Sequence, residues 1–206
     1  MRKELLLFPF HVMVRPFSGF WDLKYDDMGN LRIAGAIVFL VFMSVVIQHQ
    51  YGGYIFNNLN ADEFNSLVQI RNVLLPYFLW CIANWSLTTL MDGEGNFSEI
   101  CMVTAYALLP IAVILIPNTI LSNVITQEES VFYYFFNGVA AVWFLFLLFV
   151  GTMTVHQYTV TKTLVTIFLT LVGMAFLLFL GLLFFSLIQQ MYSFVFTIYQ
   201  EIQFRN

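Results

Sequence analysis

Five long apolar stretches divide the sequence and restrict the folds that it can adopt. They lie at residues 33–51, 72–91, 100–121, 131–153 and 163–188, and none contains Asp, Glu, Lys or Arg. Each is long enough to cross the ~30 Å hydrocarbon core of a bilayer as a helix. A helix satisfies its backbone hydrogen bonds internally, as a chain in hydrocarbon requires. The sequence therefore predicts an all-α polytopic membrane protein with five transmembrane helices.

Composition agrees with this fold class and leaves little room for a domain outside the membrane. Of the 206 residues, 60% are hydrophobic and 10% are charged, whereas about a quarter of the residues of a soluble domain are charged. We expect one five-helix domain over residues 32–190. The flanking segments, 1–31 and 191–206, are expected to be amphipathic and to lie at the membrane interface.

The first flanking segment has the pattern of a short amphipathic helix. Pro16 suits an opening helical turn, and Phe17, Phe20, Trp21 and Tyr25 then recur on one face. Such a helix would lie in the headgroup plane, with a cytoplasmic loop packed on the bundle as the alternative.

The C-terminal segment is predicted to be a separate helix. Gln189 and Gln190 end the apolar run of the fifth span, and Met191, Phe194 and Ile198 then recur at helical spacing. We expect a short helix at the interface, bound either to lipid or to a protein partner.

The positions of Lys and Arg indicate the orientation in the membrane. Five of them precede the first span: Arg2, Lys3, Arg15, Lys24 and Arg32. Lys162 lies between the fourth and fifth spans, on the same predicted side. Because positively charged residues collect on the cytoplasmic side, we expect a multi-pass protein of the cell membrane with its N-terminus in the cytoplasm. Five spans then place the C-terminus outside.

The most distinctive pattern starts in the turn before the third span. Residues 92–117 read DGEGNFSEICMVTAYALLPIAVILIP, with Gly93 and Gly95 in an acidic turn and Tyr106 and Pro110 inside the apolar run. The glycines are expected to permit a tight cytoplasmic turn.

The same turn does not match a calcium loop. The sixth position of that motif requires Gly, and the sequence has Phe97 there. We instead expect Asn96 or Ser98 to cap the helix that follows.

The set Gly93, Gly95, Tyr106 and Pro110 resembles the signature of the Yip1 domain family. The resemblance implies a five-span integral membrane protein that acts as a membrane-embedded adaptor. Eukaryotic members work in vesicle trafficking with small GTPases and carry a long N-terminal domain with a DLYGP-like motif. Residues 22–25 here read DLKY, which does not match. The chain is more similar to the prokaryotic branch, and a role beside a transport system is then implied.

Three polar side chains inside the spans form the candidate site. Asn84 lies in the second span, Tyr106 in the third and Asn137 in the fourth. Asn84 and Tyr106 are each eleven residues from Gly95, so we expect them to face each other at one depth. Hydrogen bonds between helices are the simpler interpretation, and a midplane substrate site is the alternative.

No residue pattern predicts catalysis or cofactor binding. His11, His49 and His156 are expected on different loops and on two sides of the membrane. Cys81 and Cys101 are expected ~12 Å apart in depth at ~1.5 Å per residue, too far for a disulfide. No metal motif, phosphate loop or nucleophile–base pair is recognisable. The sequence therefore predicts no catalytic residue, no cofactor, no metal and no nucleic-acid partner.

The function that remains is a non-enzymatic accessory or adaptor role. We expect the protein to act through helix contacts with another membrane protein, such as a transporter, while the bilayer surrounds it; homo-oligomerisation is left open. The alternative is a small-molecule carrier or channel subunit with its site at Asn84, Tyr106 and Asn137.

Overall fold

The computed structural model describes residues 2–26, 28–56 and 66–204, and within these ranges the chain is helical with no β-strand. The helices there are α1 (Arg2–Val14), α2 (Pro16–Tyr25), α3 (Leu31–Tyr51), α4 (Ser66–Leu90), α5 (Phe97–Ala107), α6 (Leu109–Ser122), α7 (Ser130–His156) and α8 (Val160–Phe204). Within the described ranges, five segments are long and apolar enough to cross a membrane: α3, α4, α5 with α6, α7 and α8. The predicted all-α fold with five transmembrane helices is confirmed.

The first two helices form a hairpin that packs against the bundle. They run antiparallel, because Nε2 of His11 lies 3.8 Å from Oδ2 of Asp22 and Gly19 lies directly against the backbone of Val12. α2 packs along α7, and α1 reaches α5 and α6. The N-terminal segment is therefore helical and attached to the bundle, rather than a loop. It does not lie in the headgroup plane as expected, because Lys24 contacts Val155 near the end of α7 and Met13 contacts Trp143 at its middle.

Phe20 does not share the environment of the other aromatic residues of α2. It is fully buried and packs beside Val103 and Gly151, whereas Phe17, Trp21 and Tyr25 are exposed. The prediction that all four share one membrane-facing surface is wrong for Phe20. The four positions spread over ~140° of the helix surface at ~100° per residue, so α7 covers one edge of the arc.

Pro110 divides the third span into two helices. α5 ends at Ala107 and α6 begins at Leu109, with Pro110 in its first turn. The amide of Leu108 donates to the carbonyl oxygens of Thr104 and Ala105, both at 3.2 Å, as in a terminal helical turn. Proline lacks an amide hydrogen and its ring clashes with the preceding turn, which interrupts the helix.

α8 is a single helix of 45 residues. It packs against α4, where Gly173 faces Ala83 and Leu87. After Thr170, no described residue of α8 is buried. The predicted break at Gln189 and Gln190 is wrong: the helix continues, because glutamine is a good helix former and no Gly or Pro follows to end it.

The core of the bundle lies between the hairpin, α3, α5 and α7. Tyr106, Phe20, Leu147 and Val12 are its largest fully buried apolar and aromatic side chains, together with Val150 and Val155. This packing holds the glycine-containing turn between α4 and α5 against the end of α7.

Candidate functional site

The turn between α4 and α5 has a defined backbone. Asp92 adopts a left-handed conformation, with φ of 54°, and the amide of Gly93 donates to the carbonyl of Thr88 at 2.8 Å. Asn96 is the N-cap residue of α5. Its backbone amide donates to Oε2 of Glu99 at 3.2 Å, which is one of the two hydrogen bonds of a capping box. Of the two predicted caps, Asn96 is therefore the one used.

The two glycines of the turn are required by space and not by backbone conformation, since neither has a positive φ. A Cβ atom on Gly93 would lie 2.7 Å from both Nδ1 of His156 and the hydroxyl of Tyr158. A Cβ atom on Gly95 would lie 2.6 Å from Cε1 of His156 and from Cγ1 of Val155. The turn thus lies directly on the His156 ring, and the reason for the glycines is corrected from the backbone of a tight turn to close approach.

His156 is the centre of a buried polar network. It lies in the last turn of α7 with 2% of its surface exposed. Nδ1 accepts from the amide of Gly95 at 3.3 Å, and Nε2 lies 3.1 Å from Oδ1 of Asn84. Because Nδ1 accepts, the ring proton belongs on Nε2, which donates to Asn84, and the imidazole is neutral. Asn84 in turn donates through Nδ2 to Oγ1 of Thr170 at 3.3 Å.

These four residues, here called the His156 network, join α4, α7, α8 and the glycine turn. Every polar atom of the His156 ring and both ends of the Asn84 amide have a partner. The adjoining cavity has a volume of about 10 Å³, which is at the lower limit for one water molecule. The network therefore has no room for a ligand, and its hydrogen bonds fix the relative positions of α4, α7 and α8.

Tyr158 and Lys162 cover one side of the network. The Tyr158 ring stacks on His156 with 5.3 Å between centroids, and its hydroxyl donates to the carbonyl of Met91 at 3.0 Å. Burial raises the pKa of Tyr158 above 10.0, and the carboxylate of Asp92 raises it further. Nζ of Lys162 lies 4.1 Å from the centroid of the Tyr158 ring, in cation–π geometry.

Lys24 joins the hairpin to the same region. Its Nζ donates to the carbonyl of Val155 at 2.5 Å and lies 3.1 Å from Oε2 of Glu94 in the glycine turn. The side chain of Lys24 is 9% exposed, against 61% for Glu94. The hairpin is thereby tied to the end of α7 that carries His156.

Tyr106 belongs to a different contact. Its hydroxyl oxygen accepts a hydrogen bond from the backbone amide of Asn30 at 3.2 Å, and its ring makes an edge contact with the ring of Phe8. The predicted pairing of Tyr106 with Asn84 is not formed, because the two side chains direct their polar atoms to different elements. Equal distance from Gly95 says nothing about direction, and the direction in which a side chain leaves a helix turns by ~100° per residue.

Asn137 lies in a third polar contact, between α6 and α7. Its Oδ1 accepts from Nδ2 of Asn118 at 3.1 Å, and the same Nδ2 is 3.1 Å from the carbonyl of Tyr133. The three predicted site residues therefore occupy three separate hydrogen-bonded contacts. The sequence analysis did not include His156 or Asn118 in the candidate site. A histidine near the end of an apolar run is expected at the level of the lipid headgroups, which is why His156 was missed.

The two cysteines are closer than expected. The thiols of Cys81 and Cys101 interact with each other, and both lie next to Tyr77, whose hydroxyl donates to the carbonyl of Cys101 at 2.9 Å. Both thiols are free and buried. The predicted separation in depth is wrong because the linker between α4 and α5 is an extended turn, so counting residues from Gly95 misplaces the two helix ends.

The fold is that of a polytopic helical membrane protein. Its site is a set of buried hydrogen bonds that join the helices beside the glycine turn. The Yip1 domain matches residues 10–183, which is most of the chain. The protein belongs to the Yip1 domain family. No curated protein and no solved structure matches it.

Proposed function

We propose that this protein is a non-enzymatic adaptor that binds another integral membrane protein through α8. The observation that carries the proposal is the length and exposure of that helix. Its 45 residues extend ~67 Å at ~1.5 Å per residue, about twice the ~30 Å of a hydrocarbon core. The hydrocarbon of the bilayer can cover about half of the length of α8. The apolar side chains on the remaining half need a protein partner to shield them from water.

The exposed surface of α8 is suited to a helix contact. Beyond the point where α8 leaves α4, large apolar side chains surround the helix, among them Phe176, Phe184, Phe194 and Phe196. Aromatic and apolar groups of this kind supply most of the energy of a protein interface. A membrane-embedded partner such as a transporter fits this surface, in line with a role beside a transport system.

The alternative, a carrier or channel subunit, has less support. Asn84, Tyr106 and Asn137 lie in three separate contacts, each already hydrogen-bonded within the chain. The cavity beside Asn84 has a volume of about 10 Å³, far below the ~300 Å³ of a small-ligand pocket.

Site-specific photocrosslinking in native membranes tests the adaptor proposal. A photoreactive amino acid at Phe196 on α8 should give an adduct with one integral membrane protein. The matched control is the same probe at Phe39, which is also exposed but lies on α3. We expect adducts at Phe196 that are absent at Phe39.

A functional measurement separates the two candidate roles. Solute flux through vesicles that contain this protein alone would overturn the adaptor proposal and favour the carrier. Lipid adducts without protein adducts at Phe196 would also overturn it.

A further inference from the structure

The tip of the α1–α2 hairpin lies beside the middle of a membrane-spanning helix. Nε1 of Trp143 donates to the carbonyl of Met13 at 3.4 Å. Trp143 is the central residue of α7, which runs from Ser130 to His156, so it is ~20 Å from either end at ~1.5 Å per residue. The other end of α2 lies at the His156 end of α7, where Lys24 contacts Val155. The hairpin therefore enters from that end and reaches about halfway across.

Arg15 lies at this tip, between the two helices, and is exposed. Within the described ranges no ion pair includes its guanidinium. Arginine keeps its charge in proteins, and a charged side chain at depth in a bilayer requires an anion, water or a thinned membrane beside it. The described part of the chain supplies no such anion for Arg15.

An apolar groove adjoins the tip. It has a volume of about 680 Å³ and runs between the hairpin and the exposed side of α7, lined by Met13, Val14, Pro16, Phe135, Val142 and Phe146 among others. Arg15 lies between two of these lining residues, Val14 and Pro16. Gly138 forms part of the wall, and a Cβ atom added there would meet nothing within 4 Å. The groove is suited to hydrocarbon, and the residue between two of its lining residues carries a positive charge.

We propose that the groove and Arg15 bind a glycerophospholipid, with an acyl chain along α7 and the phosphate on the Arg15 guanidinium. Guanidinium binds phosphate through two parallel hydrogen bonds, and a chain of methylene groups fills an apolar groove. Because Arg15 lies below the headgroup level, the bound lipid is drawn inward and the bilayer is thinned beside the hairpin.

Charge complementarity favours a lipid over a transmembrane helix as the occupant. Every glycerophospholipid carries a phosphate, and the surrounding bilayer supplies it at high concentration. A partner helix would need a carboxylate of its own at the same depth, and carboxylates are rare there. The proposal is independent of the adaptor role, because the groove lies on α7 and the adaptor surface on α8.

Native mass spectrometry of the purified full-length chain in mild detergent tests the site. The probe is dioleoyl phosphatidylglycerol, and the control probe is dioleoylglycerol, which has the same chains without the phosphate. The wild type should retain the phospholipid more strongly than the diacylglycerol. R15Q should lower the affinity for the phospholipid roughly tenfold or more, as expected for a lost charged hydrogen bond, while R15K should keep much of it.

Two glycine variants test the groove without disturbing the fold. Gly138→Leu should fill the groove and weaken binding of both lipids, whereas Gly181→Leu, also free of neighbours within 4 Å but on α8, should leave both unchanged. R32Q is the matched charge control, since Arg32 is exposed at the start of α3. Thermal unfolding of each variant shows that it is folded.

Equal phospholipid retention by the wild type, R15Q and G138L would overturn the proposal. So would equal binding of the two probes by the wild type. Loss of a co-purifying membrane protein in G138L, with lipid retention unchanged, would assign the groove to a protein instead.

Discussion

Nε2 of His156 lies 3.1 Å from Oδ1 of Asn84, although 72 residues separate them in the chain. This contact joins α7 to α4 inside the bundle, and the glycine turn closes over it through Gly95. Gly93 and Gly95, the two glycines of the predicted family motif, therefore pack against a histidine that the predicted motif does not include.

Gly95→Ala should destabilise the protein. Its Cβ would lie 2.6 Å from both the His156 ring and Val155, and overpacking of this kind costs about 1–3 kcal/mol. Gly138→Ala is the matched control, because its Cβ would meet nothing within 4 Å. Thermal unfolding in detergent measures the difference, and equal melting of Gly95→Ala and wild type would contradict the close approach.

A double-mutant cycle should detect coupling between His156 and Asn84. Hydrogen bonds between transmembrane helices contribute about 0.6 kcal/mol on average and about 1.7 at most. We expect His156→Ala and Asn84→Ala to be non-additive by an amount in that range. Asn84→Ala combined with Tyr106→Phe should be additive, because those side chains have separate partners. Coupling in the second pair and none in the first would show that the assigned contacts are wrong.

Alkaline pH should destabilise the fold through Tyr158. The pKa of its hydroxyl is raised above 10.0 by burial and then by Asp92, so the unfolded chain loses this proton before the folded one does. The stabilisation is complete below pH ~10 and declines as the pH rises through the folded-state pKa. Tyr158→Phe should reduce this decline in urea or thermal unfolding, whereas Tyr54→Phe, at an exposed position, should not. An identical decline in both variants would argue against the buried hydroxyl.

Cys81 and Cys101 should form a disulfide under a mild oxidant such as copper phenanthroline, because Tyr77, one helical turn from Cys81 on α4, donates to the carbonyl of Cys101 at 2.9 Å. Alkylation followed by mass spectrometry should show that both free thiols disappear together within one chain. In Cys81→Ser, Cys101 should remain alkylatable. If both thiols remain free after oxidation of the wild type, the two cysteines are too far apart for a disulfide, as the sequence analysis expected.

Reporter fusions should show the N-terminus inside. Fusions at Gly95 and Gln157 should report the cytoplasm, and fusions at Gln127 and the C-terminal Asn206 the outside. The reason is the excess of Lys and Arg before the first span. A cytoplasmic C-terminal fusion would contradict this orientation.

The sequence alone was sufficient for the fold class and for the number of spans. Uninterrupted apolar runs leave a chain in hydrocarbon no choice but helix, since each backbone group must find a partner within its own segment. The cap at Asn96 was also predicted, as one of two candidates, because it depends on residues within a few positions of one another. The interruption at Pro110 is equally local but was not predicted. The continuity of α8 was missed, although it too is local: the two glutamines mark a change in polarity and carry no signal that ends a helix.

Only the tertiary structure decided which polar groups meet. Asn84, Tyr106 and Asn137 each have a polar side chain inside a span, and depth can be counted along a helix. The partner of each depends on the direction in which its side chain leaves the helix and on which helix lies there. A rotation of ~100° per residue means that an error of one position sends a side chain to a different neighbour. For that reason His156, which is placed by the packing of α4, α7 and the glycine turn, could not be recognised from its place in the sequence.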